Sequence, residues 1–231
     1  MRFVKKMNEP AELVRWKNEN REFPAQLAYK NLPAPVKAVI IRQLQQEQGF
    51  LCAYTMCRID NNRCHIEHFL PQHAFPRSDV EYQNLLACFP NKEEYGRKLG
   101  ACPYGADYKG QSLETICNPT VASQVQGAFT FGPAGNVIGN TELARKTIEV
   151  LNLNHPELVQ ARRNTIARVM GIRARGGRSL LTAKAASRLI REQRCFDKNG
   201  KLPPFCEAVA QCLERYVKKE VSRSQRMKKE H

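Results

Sequence analysis

Helical spacing runs along both ends of this chain and stops between them. Residues 9–18 and 36–48 carry apolar side chains at helical intervals, and the second run sets Val36, Ile40, Ile41 and Leu44 on one face, with Pro35 at its start and Gly49 at its end. Further helices are expected over 141–151, 156–173 and 179–194, and Pro203 and Pro204 open a last one to about Val221. From 50 to about 110 the pattern is short apolar runs, turn residues and clustered Cys and His, with no long amphipathic helix. A small strand-and-loop unit held between helices follows, so the fold class is α+β, mainly α.

The same break divides the chain into an N-terminal helical segment (1–48), a core (49–120), a hairpin (121–140), a C-terminal helical region (141–221) and a basic tail (222–231) expected to be disordered. The hairpin has Phe129 and Phe131 on one arm, Val137 and Ile138 on the other, and Gly132, Pro133, Gly135 and Asn136 in the turn; it reads as short and peripheral. Residues 23–35 hold three prolines and read as a loop that wraps around the body.

Charge points to the partner. The 37 Lys and Arg against 22 Asp and Glu give +15, which favours a polyanion through counterion release, nucleic acid foremost. Arginines crowd the segment 162–194, and Arg162, Arg163, Arg173 and Arg175 are the candidate phosphate contacts. No stretch approaches the about 20 apolar residues of a membrane helix, and the basic N-terminus runs into Asn8, Glu9 and Pro10 without an apolar core; the cytoplasm is the expected location. There the nine cysteines stay thiols. Cys195, Cys206 and Cys212 read as core residues, whereas Cys52, Cys57, Cys64, Cys88, Cys102 and Cys117 share the central stretch with the histidines.

Three of the five histidines lie in Cys64-His65-Ile66-Glu67-His68-Phe69-Leu70-Pro71-Gln72-His73. Glu67 offers a hard oxygen ligand for a divalent cation beside an imidazole, His68, that can take a proton from water near neutral pH. Those are the parts of metal-assisted phosphodiester hydrolysis. A strict pleat puts His65 and Glu67 on one face and His68 on the other, so joint use of Glu67 and His68 requires a bend. Downstream stand Asn84 in Tyr82-Gln83-Asn84-Leu85-Leu86-Ala87-Cys88, then Cys102-Pro103-Tyr104-Gly105-Ala106-Asp107-Tyr108-Lys109-Gly110.

This series resembles the His-Asn-His (HNH) endonucleases of the ββα-metal type. The wider chain resembles the PtuB-like nucleases of Septu anti-phage systems and some retrons, through 44–54, 65–72, 84–88, Asn118-Pro119, and 151–158 followed by Arg162. The resemblance implies a ββα-metal core at 49–120 embedded between the N-terminal and C-terminal helices. It also implies His68 as general base, Asn84 as the residue fixing the loop, and Glu67 with Asp107 as ligands of one Mg²⁺ or Mn²⁺. Lys109, on the opening turn of the helix, would meet a phosphate; the pleat, which sets His65 on the Glu67 face, makes His65 a secondary candidate ligand. DNA is the expected substrate, with RNA presenting the same bond, and an ABC-type ATPase subunit is the implied partner. The chain itself carries no phosphate-binding loop for ATP.

A structural Zn²⁺ on Cys52, Cys57, Cys88 and Cys102 would brace the small core, although neither pair has knuckle spacing; buried thiols without metal are the alternative. A zinc-braced nucleic-acid-binding module without catalysis is the competing function.

Overall fold

The computed structural model describes residues 1–60, 63–90, 101–171 and 181–229, with 224 and 226–229 as backbone alone. Helix α1 (Ala11–Glu19) starts after Pro10 and turns Leu13 and Trp16 inward. Helix α2 (Ala34–Glu47) opens on Pro33, carries Pro35 in its first turn, where no helical N–H is lost, and buries Ile40 and Leu44. It ends where Gly49 takes φ +61; a Cβ there would also sit 2.7 Å from the Leu202 side chain. Between the two helices the proline-rich loop forms two short 3₁₀ turns and wraps the body.

The central stretch contains strands β1 (His65–His68) and β2 (Leu85–Cys88), which form an antiparallel two-stranded sheet, followed by the single-turn helix α3 (Ala106–Lys109). Helix α4 (Ala122–Val125) leads into a second antiparallel pair, β3 (Phe129–Phe131) and β4 (Val137–Gly139). Helices α5 (Glu142–Val150), α6 (Pro156–Val169), α7 (Ala183–Arg194) and α8 (Cys206–Lys229) complete the chain. Thr141 and Thr182 cap α5 and α7, each accepting the third backbone N–H of its helix. The architecture is α+β and mainly helical. Among the described residues no helix is long and apolar enough to cross a membrane.

One contiguous core unites these pieces, from Leu13 and Trp16 through Ile40, Leu44, Leu85 and Leu86 to Val209 and Leu213. Buried polar side chains lock the sheet onto α2. Gln48 donates to the carbonyls of Leu51 and Ala87 and accepts from Ala87 N, so it stands in for a missing third strand. Glu47 accepts from Tyr82 Oη at 2.7 Å and pairs with Lys6 at 3.2 Å.

Three expectations change. The β3–β4 hairpin is not peripheral: Phe129, Phe131 and Val137 are buried, and Gln211 of α8 clips its backbone by bonding Phe129 O and Phe131 N. The last helix continues past Val221 to Lys229, in keeping with the good helix formers there, where the sequence suggested a tail without structure. Cys195 lies just beyond the end of α7 and is exposed, while Cys206 and Cys212 are buried.

Candidate functional site

Strand β1 is four residues long, and its pleat decides which side chains meet. Its register against β2 runs unbroken from His65↔Cys88 to His68↔Leu85, so Glu67 and His68 leave the strand on opposite faces without a bulge, yet near enough that the charges of Glu67 and Lys109 act on the His68 ring. Two half-sites result, one on each face.

On the first face, Lys109 at the end of α3 places Nζ 2.9 Å from Glu67 Oε1 and 3.3 Å from the His68 carbonyl. Lys109 is the last residue of this single-turn helix. His65 Nε2 lies 3.7 Å from the other Glu67 oxygen, too far for a hydrogen bond. The His65 ring is held at Nδ1, 2.5 Å from the Pro90 carbonyl. A carbonyl can only accept, so Nδ1 carries a proton. The Nε2 atom is buried and has no hydrogen-bond partner among the described residues. Burial works to raise the Glu67 pKa, but the His65 ring and the Lys109 ammonium outweigh it and the carboxyl lies below its ordinary value.

On the second face, His68 Nε2 lies 2.9 Å from the Asp79 carbonyl and 3.3 Å from Asp79 Oδ1. By the same reasoning Nε2 carries the proton and Nδ1 is left as the base. Burial pulls the His68 pKa below its ordinary value and outweighs Asp79, so the ring is neutral at pH 7. The Tyr29 ring stands edge-on to it, centroids 4.8 Å apart. Asp79 is itself held: Tyr29 N donates to Oδ2 at 2.6 Å and Gln72 Nε2 donates to Oδ1.

Asn84 closes the loop between these residues. Its Oδ1 accepts from Leu70 N at 2.7 Å, and its Nδ2 donates to Ser78 O at 3.0 Å and Leu70 O at 3.2 Å. One amide thus fixes both ends of the segment that carries Asp79 to His68.

The remaining candidates fall elsewhere. Asp107 turns back to accept from Cys102 N at 3.1 Å, and Lys109 stands beside Glu67 instead. Cys52, Cys57, Cys88 and Cys102 occupy one region, where Cys52 and Cys88 are hydrogen-bonded. Burial would raise Cys52, but bonds from Cys88 and Thr55 bring it down to about 6, while burial pushes Cys57 up to about 12. Among the described residues no three His, Cys, Asp or Glu side chains gather as metal ligands would, so neither the four cysteines nor Glu67, Asp107 and His65 form a complete set. Glu67 and His65 do fit a cation as a two-donor site, the arrangement in which Mg²⁺ keeps its waters and takes further oxygens from substrate. The Nδ1–H bond of His65 to a backbone carbonyl is also the support a ligating imidazole normally has.

Arg162 is corrected outright. It is 2% exposed and donates to the carbonyls of Gly135 and Leu153, because it lies on the inner side of α6 and ties the hairpin to that helix. Burial lowers its pKa to about 10. Gly135 has φ +91, and a Cβ there would strike the Val159 carbonyl. Arg163 is exposed next to it, and Arg173 and Arg175 lie outside the described residues. The sequence reading missed Asp79 and Tyr29. Neither has a spacing signal; the clue available was that a loop closed by Asn84 must carry something to the histidine.

No protein-family model matches the chain. It is similar to the Septu protein PtuB of Bacillus thuringiensis, 26% identical over 153 residues, which is 65% of this chain and 54% of that protein. The match thus spans about half the length of that relative.

Proposed function

We propose that the chain is a metal-dependent HNH-type endonuclease that hydrolyses phosphodiester bonds in DNA, and a component of a Septu-type anti-phage defence system. The antiparallel β1–β2 pair followed by the single turn α3 supports this reading. The observation that carries it is the His65–Glu67 pair: a buried imidazole nitrogen without a hydrogen-bond partner among the described residues, 3.7 Å from a carboxylate oxygen. Glu67 and His65 would hold one Mg²⁺ or Mn²⁺. When bound, that cation supplies Lewis-acid polarisation of the phosphate and stabilises charge on the departing oxygen.

The protein's own groups do the rest. His68, neutral and oriented by Asp79, accepts a proton from water at Nδ1. Asn84 keeps the 69–84 loop, and with it Asp79, in register. Lys109 supplies a fixed positive charge beside the phosphate position and, through Glu67, links α3 to β1. Arg163 on the exposed side of α6 is free of the structural task that Arg162 performs and is available to backbone phosphates. The likeness to a Septu protein extends the reading to a multi-component system in which an ABC-type ATPase subunit is the partner.

The Cys52–Cys88 pair favours a second reading, a zinc-braced binding module without catalysis. Plasmid cleavage with and without Mn²⁺ separates them. Nicking that needs the metal and disappears in His68→Ala supports the nuclease; DNA binding without cleavage under every condition supports the module.

A further inference from the structure

A groove of about 250 Å³ opens beside the β1 site, with Phe69, Leu70, Phe75, Leu113, Ile116 and Val121 among its lining. Both of its walls grow out of the site. Phe69 follows His68 directly, and Leu70 is the residue that Asn84 clamps; the opposite wall begins just beyond Lys109. His73 and Gln111, which neighbour the two lining segments in sequence without lining the groove themselves, are joined at 2.9 Å. Phe75 and Leu113, both in the lining, stand 42% and 61% exposed among the described residues. The acidic residue of the lining, Glu114, is paired with Lys146 at 3.2 Å, so it adds no uncompensated negative charge.

We propose that this groove receives an unpaired nucleobase of single-stranded DNA, the base next to the phosphate held between Lys109 and His68. The inference rests on the nuclease reading and narrows its substrate. The groove lining starts at Phe69, the residue after His68, and at Ser112, three residues after Lys109, so a strand whose phosphate lies at the site runs toward it. An apolar slot with a Phe at its lip matches the π-face of a base, which stacks on aromatic side chains whatever its sequence. A base inside a duplex is stacked on its neighbours and reaches such a slot only by flipping out. The chain's charge of +15 selects a polyanion over an apolar peptide as the occupant.

The test uses an oligonucleotide carrying one 2-aminopurine, whose fluorescence is quenched by stacking. The full chain is used, in chelator so that the strand stays intact, and binding is followed separately by anisotropy. The expected result is at least twofold quenching with the single strand, little with its duplex, and loss of the quenching in Phe75→Ala/Leu113→Ala. With Mn²⁺ restored, the single strand is cut at least tenfold faster than the duplex, and Phe75→Ala lowers that rate about tenfold. Binding without quenching, quenching that survives the double substitution, or no binding overturns the groove assignment; an apolar peptide as the true occupant gives the first of these. If nothing is cleaved yet quenching behaves as stated, the nuclease reading fails and the groove assignment stands. If cleavage proceeds and ignores both substitutions, the reverse holds.

Discussion

The site-bearing stretch from 50 to 118 and the C-terminal helices are held together by different means. In the first, buried polar side chains bond to backbone: Gln48 to the edge of β2, Asn84 to both ends of its loop, Lys109 to Glu67 and the His68 carbonyl. In the second, Ala186, Val209 and Leu213 pack apolar faces, Thr141 and Thr182 cap two helices, and pairs such as Arg188–Glu192 at 3.1 Å lie on the surface. Short strands bury too little apolar area to fix their own positions, so polar bonds must do it; helices of twelve residues or more settle by packing. Geometry set by polar bonds depends on single atoms, whereas geometry set by packing is spread over many. Arg162 and Thr147 are exceptions in the helical half, buried polar side chains that bond to backbone among apolar contacts.

That difference can be broken from either side. His68→Ala has the largest expected effect, a fall in metal-dependent cleavage of about 10²–10⁴-fold with the secondary structure retained by circular dichroism. Asn84→Ala, which removes three side-chain bonds and leaves Leu70 N unpaired, is expected to cost about 3 kcal/mol in urea unfolding. Arg162→Met leaves the Gly135 and Leu153 carbonyls without their donor and costs about 2 kcal/mol while sparing DNA affinity; Arg163→Ala spares stability and lowers the salt dependence of binding by about one unit of slope. Thr182→Ala, the loss of a cap in the packed half, costs only about 1 kcal/mol.

A pH series sharpens the same comparison. Burial lowers the Lys6 pKa to about 8, against the pull of Glu47. Between pH 8 and the ordinary value of 10.5 the folded chain holds fewer protons at this group than the unfolded one, so Lys6 makes stability rise with pH across that window. The slope relative to Lys6→Met, measured by denaturant unfolding at each pH, is expected to be positive there and flat below it.

The helical half was the more legible of the two. Its elements are long, their apolar positions recur at 3.6-residue spacing, and each start carries a Pro or Thr signal, so 142–150 and 156–169 lie within the expected runs. What the pattern hid was direction: Arg162 and Arg163 are adjacent, and only the crossing of α6 over the hairpin decides that the first is buried. In the central half the chemistry was visible and its assembly was not. His65, Glu67, His68 and Asn84 stood out by type and order, and the pleat argument separated Glu67 from His68 before any coordinates. Lys109 in place of Asp107 beside Glu67 depends on the winding of a four-residue helix, which no spacing rule resolves. Asp79 reaches His68 only because a loop is pinned by one amide.

The central claim is that the two faces of β1, Glu67 with its cations and His68 with Asp79, serve one reaction. It is tested most directly by single-turnover plasmid cleavage in Mn²⁺ by the wild type, Glu67→Gln, His68→Ala and the double variant. Groups that act as a unit are non-additive, so each single substitution should abolish most of the rate and the double should be no worse than either. Wild-type rates in His68→Ala, or losses that multiply in the double variant, would contradict it.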